Sequence, residues 1–207
     1  YLREPPTPGD VLSVFAGVRP LVRQEGSRRT AELERDHVVR TSPTGLISVM
    51  GGKWTTYRKM AVEAVDQAAT VGDLPQRPSA TEKLSLSGDG VPGEQRWRHY
   101  GKFSHAISEL VQNTPGLDDR LDSSLPYVAG EVVWAVRHEM ARTLEDVLSR
   151  RLRALLLNAE AALRMAPRVA EIMAGELGCE EAWIESPITD FRALAEGSRP
   201  PAAVTDR

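Results

Sequence analysis

The sequence has a single cysteine, Cys179, in 207 residues. An internal disulfide is excluded, and the chain suits a reducing compartment such as the cytosol. No run approaches the ~20 consecutive apolar residues that a membrane span needs. Aromatic residues make up only 5%. They do not interleave with the basic residues, and the net charge is −3, so a nucleic-acid footprint is not expected. The opening Tyr1-Leu2-Arg3-Glu4-Pro5-Pro6 has no apolar core and no initiator Met. It reads as a piece of a longer protein rather than as a signal peptide.

What is present suits a soluble globular protein of one or two domains, with 41% hydrophobic and 27% charged residues. Charge is unevenly placed. Residues 1–60 carry 10 Lys+Arg against 6 Asp+Glu, and residues 61–207 carry 16 against 23. The first segment is basic and favours an anionic ligand.

Residues 1–9 read as an extended, proline-rich lead-in. Residues 11–18, rich in β-branched and aromatic side chains, predict a strand that stops at Pro20. Residues 23–36 predict a charged loop. His37-Val38-Val39-Arg40 and Leu46-Ile47-Ser48-Val49 predict a hairpin around the turn residues Ser42-Pro43-Thr44-Gly45. Met60, Ala61, Ala64, Val65 and Ala68 predict a helix from about 55 to 71, with Gly72 as its stop. Residues 73–96 are rich in Pro, Ser and Gly and predict a linker. The rest is helical in pattern: about 95–112, 127–140, a helix capped by Thr143 and Asp146, a short helix capped by Asn158, another opening at Pro167 and stopping at Gly178, and a last one over about 180–195, bent or broken at Pro187.

The most chemical stretch is Gly51-Gly52-Lys53-Trp54-Thr55-Thr56-Tyr57-Arg58. It reads as strand, Gly-Gly turn and helix N-terminus. Glycines admit positive φ and close approach of a ligand. A helix N-terminus offers unpaired N–H groups, and Lys53 adds a full charge, so the turn is a cradle for an anionic or electron-rich group. The alternative is a tight turn before a capped surface helix. Arg19, at a predicted strand end, could fork onto a phosphate or carboxylate, or pair with Asp36 or Glu25. Gly88-Asp89-Gly90-Val91-Pro92-Gly93 spells G-x-G-x-x-G but lacks the buried strand and following helix of a dinucleotide fold, so we read it as linker. His99, His105 and His138 sit on amphipathic helices without metal-ligand spacing. Arg142, Arg150, Arg151 and Arg153 could form a docking face for a partner or anionic lipid, or pair with Glu145 and Asp146. Trp134 and Trp183 fit core packing.

Residues 51–58 resemble the segment of FAD-dependent glycerol-3-phosphate dehydrogenases that closes over the flavin ring. Phe15-Ala16-Gly17-Val18-Arg19-Pro20-Leu21-Val22, Arg35-Asp36-His37-Val38, and the run from Glu139-Met140-Ala141-Arg142 to Ser149-Arg150-Arg151 agree with that family. The resemblance is strong over about 10–70 and moderate over about 97–195. It implies the C-terminal part of an aerobic, quinone-linked enzyme that oxidises sn-glycerol 3-phosphate to dihydroxyacetone phosphate. The implied fold is mainly α: a helical bundle as C-terminal cap domain (95–197), preceded by a small α/β edge of an FAD-binding domain (1–72), with a linker at 73–94 and a tail at 198–207. Arg19 and Lys53 are the implied substrate-binding residues. Gly51, Gly52, Lys53, Trp54, Thr55 and Thr56 are the implied FAD-binding residues, with Gly52, Thr55 and Thr56 offering N–H groups. No catalytic residue is assigned: His37 is read as structural, and the family's base as lying in an N-terminal part. The ionic residues of 142–151 are read as an internal network. Implied partners of the full-length enzyme are glycerol 3-phosphate, quinone, its own N-terminal FAD domain, a second copy and a membrane surface, at the cytoplasmic face of the inner membrane. The fragment alone is not expected to hold FAD or turn over. A glycerol-3-phosphate oxidase, using oxygen, fits the same motifs, and a non-catalytic helical interaction module is the remaining alternative.

Overall fold

The computed structural model describes residues 4–18, 22, 37–84 and 95–200. The chain divides into two compact units: Gly17–Leu86, and Tyr1–Ala16 with Ser87–Arg207.

The smaller unit is a hairpin and one helix. Strands β1 (His37–Thr41) and β2 (Ile47–Gly51) pair antiparallel, with His37 opposite Gly51 and Thr41 opposite Ile47. The turn between them is built from local chemistry. Gly45 takes φ +85° and donates its N–H to the Ser42 carbonyl, and the Ser42 hydroxyl accepts the Leu46 N–H at 3.1 Å. A 3-10 turn, Trp54–Thr56, leads into α1 (Tyr57–Val71), which packs on both strands. Gly72 ends it, its N–H reaching the Ala68 carbonyl at 2.9 Å. Among the described residues of this unit only His37 is buried. Leu46, Trp54, Val65 and Leu74 stay open to solvent. Such a layer buries too little apolar surface to supply a core of its own.

The larger unit holds the core. A nine-residue 3-10 stretch, Gln95–Phe103, kinks at Gly101 (φ +55°) before α2 (Ser104–Asn113). The expected single helix over 95–112 is therefore two pieces. α3 (Ala129–His138) packs on α2 around Trp97, Ile107, Val111, Val128 and Trp134. Gly130 makes that approach possible, since a Cβ there would collide with Val111 Cγ2 and sit 3.2 Å from the Leu117 carbonyl oxygen. The reciprocal cap at Thr143 forms as the sequence predicts: Asp146 Oδ2 accepts the Thr143 N–H at 3.0 Å and Thr143 Oγ accepts the Asp146 N–H at 3.1 Å. It opens a π-helical turn, Asp146–Arg151, followed by α4 (Ala154–Leu157), α5 (Ala159–Leu177) and α6 (Glu185–Glu196). α5 is central. Its alanines and Met165, Val169 and Met173 are buried against α3, α4, α6 and the π turn.

Two expectations change here. Pro167 does not open a helix but sits inside α5, which runs unbroken from Ala159 with Asn158 as its cap. Pro167 is exposed, so water can serve the carbonyl left without an N–H partner, and the buried alanine stripe holds the helix on both sides. Residues 11–18 form no strand. The segment's hydrogen-bond partners are helix ends: Ala159 N–H donates to the Leu12 carbonyl at 3.0 Å, Val14 N–H to the Ser198 carbonyl at 2.9 Å, and Ser13 Oγ–H to the Leu155 carbonyl at 2.7 Å. Groups that helix termini leave open are satisfied by this strap. It groups residues 1–16 with the helical unit.

Candidate functional site

The site is built where β2 gives way to α1. Gly51 and Gly52 take φ +73° and +82° in succession. At Gly52 both the backbone and the space disfavour a side chain. A Cβ there would lie 2.6 Å from Met60 Sδ, 2.8 Å from Met60 Cε and 3.0 Å from His37 Cβ. The turn is thus clamped from beneath by one helix residue and one strand residue.

Lys53 follows in extended conformation (φ −132°, ψ 150°) and is exposed. Its carbonyl accepts both the N–H and the Oγ–H of Thr56, each at 3.0 Å. Of the three N–H groups expected to point at a ligand, that of Thr56 is therefore already used. No hydrogen bond within the described residues engages those of Gly52 and Thr55. Trp54 stands 84% exposed and stacks on Tyr57 with ring centroids 5.3 Å apart and planes at 23°. Gly52, Lys53, Trp54 and Thr55, with Gly17 and Val18, line an open depression of about 590 Å³. Val18 is 98% exposed. Arg19, next in the chain, lies outside the described residues.

His37 is buried, and its Nε2 lies 2.7 Å from Glu63 Oε2 on α1. Lys59 Nζ sits 3.6 Å from the other oxygen of Glu63. His37 thus braces the turn: its Cβ backs Gly52 while its ring ties β1 to the helix. Sequence pattern could not reveal Glu63 as its partner, since the two are 26 residues apart.

The arginines of 142–151 divide. Arg150 pairs with Glu145 (2.6 Å) and Asp146 (2.9 Å), and Arg151 donates Nε–H and a terminal N–H to the Glu139 carbonyl. That is the internal network the sequence suggests. Among the described residues no helix is long and apolar enough to cross a membrane.

The family described as the C-terminal domain of alpha-glycerophosphate oxidase matches residues 42–183. The mitochondrial glycerol-3-phosphate dehydrogenase of Rattus norvegicus is 35% identical over 195 residues, covering 84% of this chain and 27% of that protein. Its counterpart in Homo sapiens is 35% identical over 196 residues, with coverage of 84% and 27%. A mitochondrial glycerol-3-phosphate dehydrogenase of Arabidopsis thaliana is 34% identical over 199 residues, covering 81% and 32%. The chain thus spans between a quarter and a third of the length of these curated relatives. The matched stretch takes in the Gly-Gly turn and the helical unit from α2 to α5, and the chain belongs to the family of the C-terminal domain of alpha-glycerophosphate oxidase.

Proposed function

We propose that this chain is the C-terminal part of an FAD-dependent enzyme that oxidises sn-glycerol 3-phosphate to dihydroxyacetone phosphate and passes the electrons to quinone. The observation that carries the reading is the turn at 51–55: two left-handed glycines, a projecting lysine and unengaged N–H groups at an open depression. The donor set fits an electron-rich ring edge, and the clamp on Gly52 keeps the backbone low enough for close approach.

When bound, FAD supplies the acceptor for the hydride leaving the substrate's C2. The residues of this chain do the rest. Lys53 would set a fixed positive charge, and Gly52 and Thr55 their N–H groups, where negative charge accumulates during the reaction. Trp54 and Tyr57 would form an apolar, stacked wall beside it. Arg19 would fork onto the substrate phosphate. Its sequence neighbours Gly17 and Val18 line the same depression as Lys53, which supports that role. His37, buried and hydrogen-bonded, would hold the turn rather than take the substrate's proton.

The exposed apolar residues of the small unit would be covered by the N-terminal FAD domain. A homodimer and a peripheral seat on the cytoplasmic face of the inner membrane complete the proposal. The oxidase reading differs only in the acceptor. The full-length protein tests both: glycerol-3-phosphate-dependent reduction of a quinone analogue supports the dehydrogenase, stoichiometric peroxide supports the oxidase, and neither product removes the proposal. Arg19→Ala should raise KM more than it lowers kcat, by about 10- to 150-fold for a lost charge-assisted contact.

A further inference from the structure

A second cavity lies wholly within the helical unit. It measures about 530 Å³ and is lined by Arg96, His99, Tyr100, Tyr127, Arg151 and Arg153, among others, with Glu131 in its wall. Glu131 is 3% exposed. One of its oxygens accepts the Val128 N–H at 2.9 Å and the other accepts the Tyr100 hydroxyl at 3.1 Å. His99 Nε2 is 3.7 Å from the same carboxylate. The one anionic group of the cavity is thus turned inward and satisfied by its own unit, and burial pushes both Glu131 and Tyr100 up from their ordinary values.

Of the three arginines, two are likewise engaged within the unit. Arg96 pairs with Asp118 across 2.7 Å and lies over the Trp97 ring. Arg151 is held by the Glu139 carbonyl. The Arg153 guanidinium has no hydrogen bond or ion pair among the described residues, while its carbonyl accepts the Leu156 N–H at 3.1 Å; the residue is exposed and holds φ +62°, ψ 20°. A side chain in left-handed backbone is unfavourable, and glycine would serve there without that penalty. Three arginines and a histidine thus meet aromatic walls at one opening whose only carboxylate is already engaged.

We propose that this cavity binds a small molecule with an anionic group, a phosphate or carboxylate, on an apolar or aromatic body. The anion would sit between Arg151 and Arg153 at the mouth, and the body would lie along Tyr100 and Tyr127. Nothing in this reading depends on the chemistry at residues 51–58.

The test uses the 207-residue chain labelled with ¹⁵N and titrated with phenyl phosphate, inorganic phosphate and phenol. Phenyl phosphate should give saturable amide shifts confined to the surroundings of Tyr100, Tyr127, Glu131 and Arg153, tighter than either half-molecule. Arg153→Gly should weaken binding about tenfold or more while the melting temperature holds or rises, because glycine relieves the backbone. Arg98→Ala, at an exposed arginine outside the cavity, should leave affinity unchanged. Shifts that never saturate, equal losses in the two variants, or unchanged binding in Arg153→Gly would each overturn the site.

Discussion

Replacing Gly52 by alanine should break the candidate site without disturbing the helical unit. Two separate penalties meet there. The residue must hold φ +82°, which takes roughly 1–2 kcal/mol from a residue with a Cβ. The new methyl also collides with Met60 and presses on His37 Cβ. Met60 can rotate away, but His37 is buried and tied to Glu63, so overpacking adds roughly 1–3 kcal/mol. The total, about 2–5 kcal/mol, equals a 30- to several-thousand-fold change in a local opening equilibrium at ~1.4 kcal/mol per decade. A unit whose only buried described residue is His37 has little reserve against that. Native-state hydrogen exchange of the β1 and β2 amides is the assay. Protection of Val39 and Val49 should fall to the level of an open chain, while that of Val132, Met165 and Val169 stays. Adding Met60→Ala should recover part of the loss and leave the backbone penalty. Unchanged strand protection in Gly52→Ala would refute the clamp, as would equal loss of protection in both units.

The helical unit has its own tests. Gly130→Ala gains about 1 kcal/mol of helix propensity, yet the collision with Val111 and the close Leu117 carbonyl, costing roughly 1–3 kcal/mol, should outweigh it and lower the melting temperature, measurably by calorimetry. Residues 95–200 should unfold cooperatively by themselves, since both buried clusters lie within them; a flat far-UV melt would count against this. The Arg164 guanidinium, at 2.8 Å, holds the Asp122 carboxyl well below the usual carboxylate range. That stabilisation is complete above the unfolded carboxylate value near ~3.9 and is lost as pH falls toward the folded one. Asp122→Asn should therefore lower stability at neutral pH and flatten its decline below about pH 4, as urea unfolding at stepped pH would read out.

Much of this was legible in the residues because the governing interactions are local. Ser42 and Gly45 close their own turn, Thr143 and Asp146 cap each other, and Gly178 ends α5 in left-handed conformation. What failed depends on partners distant in sequence. Residues 11–18 have strand composition, but their hydrogen bonds go to helix ends near residues 155, 159 and 198. Pro167 reads as a start because propensity cannot show that its missing N–H falls on a solvated face of a helix held by packing. At the site, the glycines, Lys53 and the helix start were visible. The clamp under Gly52 was not, since Met60 and His37 meet only in the fold. Thr56 looked like a ligand donor because no sequence rule shows its N–H and hydroxyl turning back to the Lys53 carbonyl. Tyr100 and Glu131, 31 residues apart, gave no signal at all.

The most direct test of the central claim is the flavin midpoint potential and the steady-state kinetics of Lys53→Met in the full-length enzyme. A lysine that stabilises charge appearing only during reaction should, when removed, lower the potential and kcat while leaving KM for glycerol 3-phosphate near its starting value. An unchanged potential with a raised KM alone would move Lys53 from the cofactor to the substrate, and wild-type values of all three would leave residues 51–58 as no more than a turn.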